Sequence, residues 1–273
     1  MYRIVRKEAL KPTVILYEIE APMVAKKAEP GQFIILRVDE NGERIPITIH
    51  DYDREKGTVT IIVQTVGATT EKLSHKQQGE FIQDFVGPLG RPTETEGKKK
   101  VCVVGGGVGC AIALPSAKAF KEAGADVTVI VGFRSKDIII LEDEMKNACT
   151  NLHIVTDDGS NGRKALVTQV LKELIDAGNQ YDAVIAIGPM IMMKFCTLTC
   201  KKLGIPEDVS LNMLMVDGTG MCGACRVTVA GKVKFACVDG PEFNGYDVDF
   251  DEAMRRLGQY RPEETEVKSK IGI

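Results

Sequence analysis

The sequence predicts a β-barrel followed by an α/β domain and closed by a small C-terminal segment. Three observations predict it. The first hundred residues carry short β-branched runs separated by turn signals, with no convincing long helix. From Val101 onward strands and helices alternate, the rhythm of a parallel sheet covered on both faces. Near the C-terminus Cys222, Cys225 and Cys237 gather, while the other five of the eight cysteines are scattered. The implied boundaries are 1–97, 98–208 and 209–273.

In the first part, residues 14–19, 33–38 and 58–63 are β-branched runs of strand length. Glu29-Pro30-Gly31, Asn41-Gly42 and Lys56-Gly57 punctuate them. Arg44-Ile45-Pro46-Ile47-Thr48-Ile49 reads as an edge strand, and Val66-Gly67-Ala68-Thr69-Thr70 as edge-strand residues and a turn. A second reading of these two stretches is chemical: the arginine would meet a phosphate and the hydroxyl a ring. Gly87-Pro88-Leu89-Gly90-Arg91-Pro92 breaks the strand pattern, and Glu96-Gly97-Lys98-Lys99-Lys100 reads as a solvated linker.

In the second part, residues 101–104, 127–131, 152–155 and 183–187 read as strands. Residues 111–123, 164–177 and 190–203 read as helices. Between the first strand and first helix stands Gly105-Gly106-Gly107-Val108-Gly109-Cys110-Ala111. Such a junction turns backbone N–H groups and a helix N-terminus toward the place where a pyrophosphate can sit. The pattern is not the strict G-x-G-x-x-G. The next strand ends in Gly132-Phe133-Arg134-Ser135, without the acidic residue that holds a ribose in the usual dinucleotide fold. A tight turn that needs glycines for packing is the competing reading.

In the third part, Asp217-Gly218-Thr219-Gly220-Met221-Cys222-Gly223-Ala224-Cys225 precedes Cys237. The spacing is that of a plant-type [2Fe–2S] site, C-x₄-C-x₂-C with a distant fourth cysteine, except that Asp217 stands in the first position. Glycines at 218, 220 and 223 let the loop wrap closely around a cluster. Buried apolar cysteines, a Cys₃Asp zinc site, or a disulfide with a free thiol are the other readings. Carboxylate is a harder donor than thiolate, so Asp217 would hold iron more weakly than a cysteine would. Cys200 is a rival donor, but it lies in a helical pattern without a glycine loop.

Composition narrows the function classes. The chain has 273 residues, 44% hydrophobic and 27% charged, which suits a globular protein of two or more domains. A net charge of −3 argues against nucleic acid or an anionic membrane as partner. No run approaches a membrane span, and the N-terminus lacks a signal peptide, so the expected location is cytoplasmic.

Taken in order, Arg44-x-Pro46-Ile47-Thr48, Gly67-x-Thr69-Thr70, Gly87-Pro88-Leu89-Gly90, the Gly105–Ala111 loop, Gly188-Pro189-Met190 and the cysteine cluster resemble the ferredoxin–NADP reductase superfamily. The resemblance is to its branch with a C-terminal [2Fe–2S] segment. That branch holds the electron-transfer subunits of dihydroorotate dehydrogenase and the small subunits of NADH-dependent reduced-ferredoxin:NADP⁺ oxidoreductase and sulfide dehydrogenase. Thr156-Asp157-Asp158-Gly159-Ser160, Arg134-Ser135-Lys136-Asp137, Asp217 to Cys225 and Val238-Asp239-Gly240-Pro241-Glu242-Phe243 carry the likeness to the small subunits.

The resemblance implies a barrel that binds FAD, a parallel-sheet domain that binds NAD(P), and a terminal iron–sulfur segment. Arg44, Pro46, Ile47 and Thr48 would line FAD, and Gly67, Thr69 and Thr70 would hold its phosphate. Gly105, Gly106, Gly107 and Gly109 would underlie NAD(H) or NADP(H). Thr156, Asp157, Asp158, Gly188, Pro189 and Met190 would frame that pocket, and Asp217, Cys222, Cys225 and Cys237 would ligate the cluster. No side chain need act as acid or base. Dihydroorotate-type relatives carry cysteine at the position of Asp217, so the departure favours the ferredoxin:NADP⁺ reading. That reading implies a larger partner subunit with a second FAD and [4Fe–4S] clusters, ferredoxin being served through the complex. Arg134, Ser135, Lys136 and Arg163 would meet a 2′-phosphate or are solvated charges; the resemblance favours NAD(H) on this chain. The alternatives are a dihydroorotate dehydrogenase subunit and a non-enzymatic, zinc-stabilised nucleotide-binding module.

Overall fold

The β-branched runs of the N-terminal part pair as two antiparallel sheets in the computed structural model, which describes residues 1–271. In chain order the elements are β1 (Tyr2–Lys11), β2 (Val14–Glu20), α1 (Pro22–Ala25), β3 (Phe33–Arg37), β4 (Ile45–Thr48), β5 (Asp51–Asp53), β6 (Thr58–Gln64), α2 (Ala68–His75), β7 (Phe81–Ile82) and β8 (Asp84–Leu89). The sheets are β5-β6-β2-β1-β7 and β4-β3-β8. Period-two alternation turns Ile15, Tyr17 and Ile19 inward from β2, against Ile34, Leu36, Ile61 and Phe85. The Tyr17 hydroxyl donates to the Leu73 carbonyl at 2.9 Å and ties α2 to this core.

Two local expectations are corrected. Residues 68–75 form helix α2, where edge-strand residues and a turn were expected. Residues 84–89 form one strand across Gly87-Pro88, where a break was expected. Proline is tolerated there because β8 lies at a sheet edge, and a Cβ on Gly87 would stand 2.6 Å from Ile34 Cγ2.

The second part runs β9 (Lys100–Gly106), α3 (Gly109–Glu122), β10 (Asp126–Phe133), α4 (Glu142–Ala148), β11 (Asn151–Thr156), α5 (Val167–Asp176), β12 (Ala183–Ile187), α6 (Met190–Leu203) and β13 (Glu207–Ser210). After these come the hairpin β14 (Arg226–Val229) and β15 (Lys232–Phe235), then α7 (Ala236–Asp239), β16 (Glu242–Asn244), α8 (Phe250–Leu257) and α9 (Arg261–Ile271). The large sheet has the order β11-β10-β9-β12-β13-β16, parallel throughout except for β16. Strand β9 is buried from Val101 to Gly106, as a central strand covered on both faces must be. No helix among the described residues is long and apolar enough to cross a membrane.

Strand β16 brings the C-terminal segment back to the sheet. Ser210 pairs with Glu242, and the Leu211 N–H donates to the Pro241 carbonyl at 2.9 Å. The cysteine-bearing stretch therefore leaves and re-enters the sheet at one point. Its apolar residues join one continuous core: Phe33 and Ile35 of the barrel, Val104 and Val184 of the sheet, and Met213, Met215, Cys225 and Cys237.

One buried carboxyl reports on this attachment. Glu207 opens β13 and is 2% exposed, close to Thr197 of α6 and the backbone of Gly245. Neither of its oxygens has a hydrogen-bond partner among the described residues. Burial pushes its pKa from 4.5 up to about 8, so the neutral acid is the folded form at pH 7. A raised folded-state pKa gives stability that is full below about 4.5 and is lost as pH rises through about 8. Urea unfolding at pH 5, 7 and 8.5 is expected to show Glu207→Gln removing part of the alkaline loss, with a gain of at least ~1 kcal/mol over wild type at pH 8.5. Parallel pH curves for the two proteins would contradict this assignment.

Candidate functional site

The glycine loop lies where the parallel sheet reverses its winding. From β9 the chain goes to β10 on one side and later to β12 on the other, so the crevice between the C-terminal ends of β9 and β12 is a topological switch point. Both readings of the loop meet here. Three glycines are needed for packing. A Cβ on Gly105 would lie 3.1 Å from Cys110 Cα, one on Gly106 2.5 Å from Met192 Sδ, and one on Gly109 2.6 Å from the Ile187 carbonyl oxygen. Gly107 differs: it has φ +57°, its N–H donates to the Gly132 carbonyl at 2.8 Å, and a Cβ there would meet nothing within 4 Å. The loop thus packs directly on Gly188-Pro189 and leaves its Gly107 turn facing open space. Met190 is buried at the start of α6.

Thr156 and its neighbours end β11, two strands from β9. Thr156 is fully buried, and its hydroxyl donates to Asn161 at 2.9 Å, so it staples its own loop. The Asp157 N–H donates to the Phe133 carbonyl. Asp158 accepts from the Ser160 hydroxyl and N–H, which hold its carboxyl below the usual range. Arg163 pairs with Glu173, whereas Arg134 is exposed at the end of β10.

On the barrel, Arg44-x-Pro46-Ile47-Thr48 runs into edge strand β4, where a residue without an N–H costs no ladder bond. Arg44 Nε donates to the Val216 carbonyl at 2.6 Å, and its Nη1 lies 3.5 Å from Asp84. The residue expected at a flavin phosphate therefore also grips the chain one residue before Asp217. Gly67 precedes α2 with open space where a Cβ would be. The Thr70 hydroxyl accepts from the Val66 and Gly67 N–H groups at 3.0 Å, and Thr69 donates to Glu43 at 2.6 Å. This leaves the first turn of α2 as a positive helix end beside Arg44's strand, chemistry that fits a phosphate.

The cysteine loop is folded around backbone donors. Asp217 accepts from the N–H groups of Thr219 at 2.6 Å and Cys222 at 2.7 Å, which lower its pKa. The Ala224 N–H points at Cys222 Sγ, 3.5 Å away, and the Cys237 N–H at Cys225 Sγ, 3.4 Å away. Backbone N–H groups thus link Asp217 with Cys222 and Cys225 with Cys237, and the donor set of three thiols and one carboxylate has the chemistry of a [2Fe–2S] site. Among the described residues no three His, Cys, Asp or Glu side chains converge closely enough to hold a metal ion. All eight cysteines are free thiols, and Cys200 is fully buried in α6, away from the loop's backbone donors. Burial and the neighbouring Cys225 push the Cys237 thiol up to about 12.

Sequence reasoning missed residues that join these sites, His50, Thr93, Pro115, Ser116 and Val216, and noted Glu242 only as part of a motif. Thr93 donates to Glu242 at 2.8 Å and lies 3.2 Å from the Ser116 hydroxyl, so linker, α3 and β16 meet in one polar knot. The available signals were a lone histidine after an apolar strand and a proline inside a helical pattern.

The fold is shared with the ferredoxin reductase of carbazole 1,9a-dioxygenase, 18% identical with a TM-score of 0.55, covering 75% of this chain and 61% of that one. The molecule is an oxidoreductase subunit of the ferredoxin reductase class, with an added iron–sulfur segment. Residues 212–249 match the iron–sulfur cluster binding domain of dihydroorotate dehydrogenase B. A Thermotoga maritima protein, the dihydroorotate dehydrogenase B (NAD(+)) electron transfer subunit homolog, is 51% identical over 96% of this chain and 92% of its own. The solved NADH-dependent reduced ferredoxin-NADP oxidoreductase, studied for flavin-based electron bifurcation, contains a chain 47% identical to this one. Its TM-score is 0.94, covering 100% of this chain and 98% of that one. An uncharacterized Clostridium beijerinckii protein is 54% identical over 99% of this chain and 94% of its own. The chain belongs to the family of dihydroorotate dehydrogenase B electron transfer subunits and their homologues.

Gly218 tests how the cysteine loop is seated. Its φ is +81°, and a Cβ would lie 2.6 Å from Leu89 Cδ1 and 3.0 Å from Ile35 Cγ1. Backbone strain and overpacking together predict a loss of about 2–4 kcal/mol for Gly218→Ala in urea unfolding. Wild-type stability in this variant would show that the loop does not rest on the barrel.

Proposed function

We propose that the chain is the electron-transfer subunit of an NADH-dependent ferredoxin:NADP⁺ oxidoreductase of the bifurcating type, working with a larger partner subunit and with ferredoxin through the complex. The carrying observation is the Arg44–Val216 hydrogen bond, which joins the flavin strand to the cysteine loop. FAD supplies hydride acceptance from a nicotinamide and release of single electrons toward a [2Fe–2S] cluster. The chain's own residues bind and orient. The first turn of α2, with Thr69 and Thr70, receives FAD phosphate, and β4 lines the flavin. The Gly107 turn receives the dinucleotide, here read as NAD(H), at the switch point. Thr156, Asp157, Asp158, Gly188, Pro189 and Met190 shape the rest of that pocket. Asp217, Cys222, Cys225 and Cys237 would hold the cluster. Eight cysteines without a disulfide suit a reducing, cytoplasmic setting.

A second reading, the electron-transfer subunit of a dihydroorotate dehydrogenase, draws on the match at residues 212–249. The copurifying partner separates the two, by oxidising dihydroorotate or by coupling ferredoxin to both nicotinamides.

The test is anaerobic purification followed by flavin, iron and sulfide analysis. FAD and a two-iron cluster are expected in equal amounts, and a colourless protein would end the proposal. Arg44→Ala is expected to weaken FAD by about 1.5–3 kcal/mol and to lower iron retention as well, because both lose a charged contact. Asp217→Cys is expected to keep the cluster but shift its spectrum and potential, since thiolate donates more electron density. If Asp217→Cys and Asp217→Ala both match wild type, Asp217 is not a ligand.

A further inference from the structure

Helix α3 begins directly after the glycine loop and contains Pro115 in its interior. Proline has no N–H, so the carbonyl four residues earlier, that of Ala111, loses its helical donor. His50, 9% exposed between β4 and β5, fills the gap: its Nδ1 lies 2.7 Å from the Ala111 oxygen. A carbonyl only accepts, so Nδ1 carries the proton. Burial lowers the imidazole's pKa. The charged groups that also act on it are Lys118 of α3, Asp51 beside it and Glu144 of α4.

The two ends of this bond are informative. His50 stands two residues beyond Thr48, the last residue of the flavin strand. Ala111 stands two residues beyond Gly109, the last glycine of the dinucleotide loop. One buried hydrogen bond thus spans the barrel and the nucleotide domain at the place where their two ligands would meet. Nearby, Asp51 and Lys118 form an exposed ion pair at 3.3 Å across the same boundary, worth far less in water.

We propose that His50 is a positioning residue. Its bond to Ala111 fixes the glycine loop relative to β4 and so sets the approach of the nicotinamide to the flavin. This rests on the function proposed above. Hydride transfer is steeply sensitive to such placement, a misplacement of about 1 Å costing on the order of 100-fold in rate.

Three full-length variants test it: His50→Leu, His50→Asn, and His50→Leu combined with Pro115→Ala. Leucine removes the donor, asparagine keeps one near the Nδ1 position, and alanine at 115 restores a helical donor to Ala111 without rebuilding the bridge. The readouts are FAD content, NADH dissociation constant, single-turnover flavin reduction, thermal unfolding and hydrogen exchange over residues 109–115. His50→Leu is expected to keep FAD and NADH binding within twofold, slow flavin reduction tenfold or more, and speed exchange over 109–115. His50→Asn is expected to recover most of the rate. The double variant is expected to regain thermal stability but not rate. Flavin reduction within twofold of wild type in His50→Leu overturns the proposal. So does recovery of rate in the double variant, which would reduce His50 to satisfying a carbonyl. Should wild type take up no FAD, the functional reading fails by itself. Exchange over 109–115 then decides the bridge, supported if His50→Leu speeds it and overturned if it does not.

Discussion

Helix α3 is the member against which the other parts of the chain are set. The barrel reaches it through His50 and Asp51, and the loop after β8 through Thr93, which in turn holds Glu242 of the C-terminal segment. The apolar cores supply most of the stability, but burial of hydrocarbon is non-directional and tolerates sliding. Hydrogen bonds contribute only about 0.5–1.5 kcal/mol each, yet they fix distance and angle. In a protein that must hold two ligands face to face, those few polar contacts set the geometry that the cores leave open.

The buried knot at Glu242 has its own electrostatics. Burial raises its carboxyl to about 7, with Asp208 acting in the same direction, while Thr93 and Lys98 oppose. The cysteine loop carries two opposite shifts. Cys237 is held protonated well above neutrality, whereas Asp217 is held ionised by backbone N–H groups.

Much of the fold was legible because its signals were periodic. β-branched runs marked β2, β3 and β6, and the alternation after Val101 marked β9 to α6; the expected helix over 190–203 matches α6. The misreadings share a physical cause. Helix α2 is short and threonine-rich, and it is held by Leu73 in the barrel core rather than by local propensity. Strand β8 contains Gly-Pro, acceptable only because tertiary structure places it at an edge. In the site, motif spacing drew attention to glycines and cysteines. The connections between motifs, Arg44 to Val216 and His50 to Ala111, span 172 and 61 residues. No local pattern encodes contacts of that kind.

The return of β16 beside β13 carries an evolutionary consequence. The cysteine-bearing stretch starts and ends at the Ser210–Glu242 pair, so it is an excursion from the sheet whose far side rests on the barrel at Arg44, Ile35 and Leu89. Its donor set can change without altering the pairing of any strand of the parallel sheet. A cysteine exchanged for aspartate at position 217 changes the chemistry of one loop and nothing of the frame that bears it. Selection can therefore retune the potential of such a cluster one donor at a time, whereas a change that moves the loop backbone is felt at once by the barrel strand that carries Arg44.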